Sequence, residues 1–180
     1  MIGLKHKLDY GDYTTIPSDG NRYELLDGDL FVTPAPSPRH QRVSKRLQRL
    51  LEAYFETRGL GEVFNAPVDV ILTLHDVVQP DLVVVAQAAQ VSDRGIEGIP
   101  LLVVEILSPS TRDRDRTIKA RRYSALGILH YWIVDPEAKS VECYSLQETR
   151  YALRVQGEGH ATVTHPDFAQ LTLALRDLWA

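Results

Sequence analysis

The chain has 180 residues, a net charge of −4, 44% hydrophobic and 24% charged residues, the balance of an ordinary globular protein. Its one cysteine, Cys143, excludes an intramolecular disulfide and a thiolate-rich zinc site. No apolar run approaches the roughly 20 residues of a membrane helix, and the start MIGLKHKLDYGDYTTIP has no apolar h-region, so neither a membrane span nor a signal peptide is expected and a reducing cytoplasm is.

One domain over 1–180 is expected, since no repeat, low-complexity tract or flexible linker divides the chain. Residues 1–20 read as an entry arm carrying the turn residues Gly11, Pro17, Asp19 and Gly20. RYELLDGDLFVTP reads as two short strands around Asp27-Gly28, a two-residue hairpin signal. After the rigid PAPSP, a helix is expected from about Pro38 to Arg58. Val43, Leu47, Leu50, Leu51, Tyr54 and Phe55 give it one apolar face. Strands follow at about 61–65, 67–73 and, after a turn at His75-Asp76, 81–86. LLVVEIL at 101–107 is a nearly continuous apolar run, the pattern of a central strand buried on both faces. A second helix is expected from near Ser110, with a capping box to Asp113, to Gly127 as C-cap. Strands at 130–135, 140–146 and near 150–156 form a meander, and LTLALRDLW adds a last strand and turn. The fold class predicted is α/β (α+β), a mixed sheet with helices packed on it.

Two carboxylates stand out against this pattern. Glu105 lies inside LLVVEIL, where an unpaired ion would cost several kcal/mol. Asp81 opens the apolar run DLVVVA directly after Pro80. Each has a plain reading, Glu105 in a buried ion pair with a helix arginine and Asp81 as a strand cap. Both together on neighbouring strands favour a hard divalent cation that relieves their repulsion. The basic residues cluster as well. Five of 20 Lys and Arg lie in 39–49 and six in 112–122, a pattern that reads either as two solvated helix faces or as a guide for a polyanion.

The segments RYELLDGDLFVTPAPSPRHQRV, QPDLVVVA, LLVVEILSPSTRDRDRTIKARRYSALGI and HYWIVDPEAKSVECYSL resemble the Uma2 family of restriction-endonuclease-like proteins, from about Tyr23 to Leu178. That family is grouped with the PD-(D/E)xK nucleases, which implies a restriction-endonuclease-like mixed sheet and Mg²⁺- or Mn²⁺-dependent hydrolysis of phosphodiesters, with DNA the favoured substrate. The resemblance places Asp81 and Glu105 as metal-holding catalytic positions. Leu107 stands where the motif's lysine is expected, and the resemblance moves that role to Lys119 on the following helix. Glu24, His40 and Tyr123 match auxiliary positions. The bland readings stay beside these: Lys119 salt-bridged to Asp115 one turn back, Glu24 as an exposed hairpin charge, His40 as a helix-start hydrogen-bonder. Arg112, Arg116, Arg122, Arg42 and Lys45 are the candidate nucleic-acid contacts, and a homodimer is expected from the habit of small nucleases that cut two strands. Three function classes follow: a metal-dependent endonuclease, a catalytically inactive nuclease fold that binds nucleic acid or protein, and a metal-free acid/base hydrolase. The six histidines show no zinc spacing, and Ser108 and Ser110 are expected to shape the strand-to-helix turn.

Overall fold

The computed structural model describes residues 6–180; the first five residues of the expected entry arm lie outside the described residues. Within the arm, α1 (Tyr10–Thr14) is closed by a capping box between Asp9 and Asp12. Tyr13 on this helix donates to Asp69 Oδ1 at 2.7 Å and so fastens the arm to the body.

The hairpin forms as the sequence predicts. Strands β1 (Arg22–Leu26) and β2 (Asp29–Thr33) pair antiparallel. Asp27 and Gly28 carry φ of 53° and 78°, the two positive values that a tight hairpin turn requires. Helix α2 (Pro38–Phe55) starts on Ser37, whose hydroxyl accepts from the His40 amide, with Pro38 at the first position, where its missing N–H costs nothing. Its buried stripe is His40, Val43, Leu47, Leu51, Tyr54 and Phe55.

The strands that follow are β3 (Glu62–Asn65), β4 (Val70–Thr73), β5 (Asp76–Val78), β6 (Leu82–Val85), β7 (Val91–Ser92), β8 (Gly95–Glu97) and β9 (Leu102–Ile106). Where the pattern predicts a turn at His75-Asp76, the turn ends one residue earlier and Asp76 begins β5. The side chain of Asp76 is fully buried and accepts from Arg122 Nε and Nη2 at 2.7 and 2.6 Å, from Thr73 Oγ1 at 2.6 Å and from the Asp27 amide at 2.8 Å. These partners come from three separate segments, so local turn propensity could not reveal them. The short strands β7 and β8 also go beyond the sequence reading.

The second helical segment runs from Arg112 to Leu126 in three parts: α3 (Arg112–Arg114), a π turn (Asp115–Lys119) and α4 (Ala120–Leu126). The predicted capping box is absent. The N-cap is Thr111 and makes no side-chain cap bond; the Ser108 hydroxyl instead bonds Ser110 and Thr111 at 3.0 and 3.1 Å. Gly127 closes the segment in the left-handed conformation at φ 88°, as a C-cap does. The chain ends with β10 (His130–Asp135), β11 (Ser140–Gln147), β12 (Arg150–Glu158), β13 (Thr162–Thr164), β14 (Thr172–Ala174) and α5 (Leu175–Trp179).

Two six-stranded sheets result, ordered β2-β1-β5-β4-β8-β7 and β12-β11-β10-β9-β6-β3. Each mixes parallel and antiparallel pairs, β9 with β10 and β4 with β8 being parallel. Alternation along β6 and β9 sends Leu82, Val84, Leu102, Val104 and Ile106 towards α2 and α5. Val83, Val85, Val103 and Leu107 go the other way, into a second core with Val70, Val78, Tyr123 and Tyr131. Burial on both faces is why β9 reads as an unbroken apolar run.

Asp76 is the test of this account. Burial works against its ionisation, but Arg122, Thr73 and the Asp27 amide outweigh it and hold the carboxyl below its usual range. A depressed carboxylate stabilises the fold above its unfolded pKa of about 4 and loses that contribution as pH falls through the lower folded value. Asp76→Asn should cost about 2 kcal/mol at pH 7, measured by urea unfolding, and the gap to the wild type should narrow as pH falls below the unfolded pKa of about 4.

Candidate functional site

The face of β9 that carries Val103 and Leu107 also carries Glu105. The β6–β9 register, with Leu82 opposite Val104, brings Asp81 at the mouth of β6 beside Glu105 on that same face. Both are buried, at 7% and 4% exposure. Glu24, from the other sheet, is 2% exposed, which removes its reading as a surface hairpin charge. A cleft of about 550 Å³ opens over these groups, walled by Thr33–Pro38 on one side and Ser108–Thr111 on the other. His40, Lys119 and Asp115 also line it.

Lys119 occupies the centre. Its ammonium donates to Glu24 Oε1 and Glu105 Oε1, both at 2.9 Å, and stands 3.7 Å from Asp115 Oδ1. The one-turn pairing with Asp115 thus exists, but it is the longest of three. Asp115 and Lys119 open and close the π turn and are both buried on it, and such turns recur at functional sites. Tyr123, four residues on, donates to Glu105 Oε1 at 3.0 Å, and Tyr131 donates to the Asp115 carbonyl at 2.9 Å. Burial alone would strip the Lys119 proton, but Glu105, Glu24 and Asp115 overcome it and raise its pKa, so this lysine stays charged.

The two strand carboxylates are tuned apart. Asp81 Oδ2 accepts from the Ile106 amide at 2.8 Å and faces His40 Nε2 at 3.0 Å, while Arg22 stands 3.5 Å from Oδ1. Burial opposes the ion, yet these partners hold the Asp81 carboxyl below its usual range. At Glu105 burial wins over Lys119, with the like charges of Asp115, Glu24 and Asp81 adding to it, and its carboxyl lies well above the ordinary range. Burial likewise raises Asp115.

The residues fit a divalent cation on two grounds. All the anionic donors are hard oxygens. Each strand carboxylate also keeps one oxygen, Asp81 Oδ1 and Glu105 Oε2, free of hydrogen bonds among the described residues.

The candidate nucleic-acid contacts are distributed unevenly. Arg112 lines the cleft and pairs with Asp135 and Glu137 at 2.6 and 3.2 Å. Arg116 grips Glu142 at 2.7 Å, and Arg122 grips Asp76 at 2.6 Å; neither lines the cleft. Arg42 and Lys45 are exposed on α2, with no ion pair among the described residues.

Sequence reasoning passed over two further cleft groups, Arg22 and Gln79, and counted Arg114 only within the basic cluster of 112–122. Arg22 was signalled by its place two residues before Glu24, on the same face of β1. The amide of Gln79 fixes Glu24 Oε1 at 2.9 Å.

One more cluster lies elsewhere. Among the described residues, the single group of three or more His, Cys, Asp or Glu side chains with ligand atoms mutually within 4.8 Å is His130, His165 and Asp167. Asp167 there is held at about 2, by Arg154 first and then by Ser145, and its amide donates to His165 Nδ1 at 3.1 Å. Ser145 Oγ bonds His130 Nδ1 at 3.1 Å and Asp167 Oδ2 at 2.5 Å, whereas His165 Nε2 is buried without a hydrogen-bond partner among the described residues.

Residues 10–176 match the Uma2 family, described as "Putative restriction endonuclease". A protein of Synechocystis sp. (strain ATCC 27184 / PCC 6803 / Kazusa), named "Uncharacterized protein slr1290", is 28% identical over 125 residues, which are 68% of this chain and 65% of that protein. The chain thus spans just under two thirds of that relative. A crystal structure from Anabaena variabilis ATCC 29413, described as "a putative nuclease belonging to DUF820", superposes with a TM-score of 0.76 at 20% identity, covering 96% of this chain and 97% of that one. This likeness gives the chain a nuclease-like fold. Among the described residues no helix is long and apolar enough to cross a membrane.

Lys119→Met tests the electrostatics of the site without reference to activity. It leaves Glu24, Glu105 and Asp115 without their shared cation, a loss of about 3 kcal/mol or more at pH 8. A carboxyl raised in the folded state stabilises below its unfolded pKa and loses that as pH rises. The deficit, read from urea midpoints, should therefore be smaller at pH 5 than at pH 8; an equal deficit would refute the shared-cation account.

Proposed function

Because the chain belongs to the Uma2 family, we propose that it is a metal-dependent endonuclease that hydrolyses phosphodiester bonds in nucleic acid, with DNA as substrate and Mg²⁺ or Mn²⁺ as cofactor. One observation carries the reading. Asp81 and Glu105 sit side by side in a buried cleft, each with one oxygen that accepts no hydrogen bond among the described residues, beside a lysine that three carboxylates keep charged. Asp81 and Glu105 would hold the ion, which when bound polarises a phosphate and lowers the pKa of bound water.

The remaining roles follow from the contacts. His40 and the Ile106 amide orient Asp81. Tyr123 and Lys119 orient Glu105. Being charged, Lys119 serves to stabilise the negative charge that grows on the attacked phosphate and is a poor proton acceptor. Glu24 keeps the ammonium in place from the opposite sheet. Arg42 and Lys45, free of ion pairs among the described residues, suit contact with flanking phosphates. The lone, buried Cys143 suits a reducing cytoplasm. A homodimer would supply two such clefts for two strands.

Purified protein should nick plasmid DNA with Mg²⁺ or Mn²⁺ and stop on addition of EDTA. Asp81→Asn and Glu105→Gln should each lower the rate at least a hundredfold. Mn²⁺ should raise the melting temperature of the wild type, and this shift should vanish in the Asp81→Asn/Glu105→Gln double variant. Full cleavage by either single variant would sink the assignment. DNA binding without cleavage would point to the inactive module instead.

A further inference from the structure

The cleft has a second wall made of donors. Arg22 and Thr33 face each other across the β1–β2 hairpin. Arg114, arriving from the helical segment, donates through Nη2 to Thr33 Oγ1 at 2.7 Å. The two arginines therefore meet around one threonine, both line the cleft, and their side chains are only 19% and 12% exposed. With its oxygen already accepting from Arg114, the Thr33 hydroxyl has its own proton to give.

These arginines are not locked into close ion pairs. Arg22 is 3.5 Å from Asp81 Oδ1, and Arg114 is 3.5 Å from Glu24 Oε2. By contrast, Arg112, Arg116 and Arg122 hold their carboxylates at 2.6 to 2.7 Å. Seven buried side-chain polar atoms have no hydrogen-bond partner among the described residues, and five of them, on Arg22, His40, Gln79, Arg114 and Asp115, belong to residues of this cleft. The Arg22 and Arg114 members are Nε–H donors. A buried guanidinium N–H without an acceptor is costly, so a native site that keeps two of them is built for an acceptor that arrives from outside.

Charge points to the class of that acceptor. Setting aside Arg112, which is paired with Asp135 and Glu137, and the exposed Arg39, four buried carboxylates (Glu24, Asp81, Glu105, Asp115) share the cleft with three cations (Arg22, Arg114, Lys119). A divalent ion on Asp81 and Glu105 turns this deficit into one net positive charge, which one phosphodiester neutralises. Guanidinium forks match phosphate oxygens in geometry as well as charge.

We infer that Arg22, Arg114 and Thr33 form a phosphate clamp that seats the phosphodiester under attack against the Asp81–Glu105 pair. The inference rests on the endonuclease reading for which phosphate is held, and its test separates the two. The probe is a fluorescently labelled DNA duplex, titrated in Ca²⁺ buffer over a KCl series. Relative to wild type, Arg22→Gln/Arg114→Gln should weaken binding at least tenfold. The slope of log K against log salt should fall by about 1, the value for one lost phosphate contact. Arg22→Lys/Arg114→Lys should keep the slope, since charge remains, while kcat for plasmid cleavage falls at least tenfold because the fork is lost. Thermal melts establish that each variant is folded. A wild-type slope in the folded glutamine variant overturns the clamp. If that variant does not fold, an undiminished kcat in the folded lysine variant overturns it. A wild type that binds DNA without cutting it removes the endonuclease reading and leaves the clamp to be decided by the slope. A wild type that binds no DNA overturns the clamp too.

Discussion

The Lys119 ammonium joins the parts of this protein that sequence distance keeps apart. It reaches Glu24 on the hairpin sheet, Glu105 on the central strand of the other sheet and Asp115 on its own π turn. A buried ion of either sign is costly alone, so these four groups must be assembled together or not at all. That constraint fixes how the hairpin sheet sits over the β6–β9 pair, and it leaves a cleft between them. It also means that the site and the fold share the same contacts. A change at Lys119 is a change to stability before it is a change to chemistry.

Around this centre the arginines divide into two groups by geometry. Arg112, Arg116 and Arg122 close onto carboxylates in short, mostly forked pairs. Their work is to pin the helical segment against β5, β10, β11 and the loop after β10. Arg22 and Arg114 stand at longer range from theirs and keep buried N–H groups without acceptors among the described residues. A count of basic residues in the 112–122 window treats all of them alike. Partner distances separate a residue that stabilises the fold from one that is open to a ligand, because a carboxylate already gripped at 2.6 Å competes directly with any phosphate.

Legibility followed the range of the interaction. The hairpin at Asp27-Gly28, the apolar stripe of α2, the doubly buried β9 and the Gly127 cap were all readable, since each depends on local propensity or on a period of 2 or 3.6. Asp76 was not, because its four hydrogen bonds come from Asp27, Thr73 and Arg122. The π turn was not, because residues 112–117 (RDRDRT) offer no apolar periodicity from which a change of pitch could be read. His130, His165 and Asp167 were brought together by the docking of the last strands, which no spacing records.

By itself the sequence determined that Glu105 and Asp81 needed partners, because a carboxylate in an apolar run is out of place wherever that run folds. It also determined that Leu107 could not supply the cation, since it shares the face of Glu105 and has no charge. Only the tertiary structure decided what the partners are: Lys119 between three carboxylates, His40 and an amide on Asp81, Arg22 and Arg114 across the cleft. The physical reason is that charge stabilisation acts over a few ångströms of space. Along the chain, Glu24 and Lys119 are 95 residues apart.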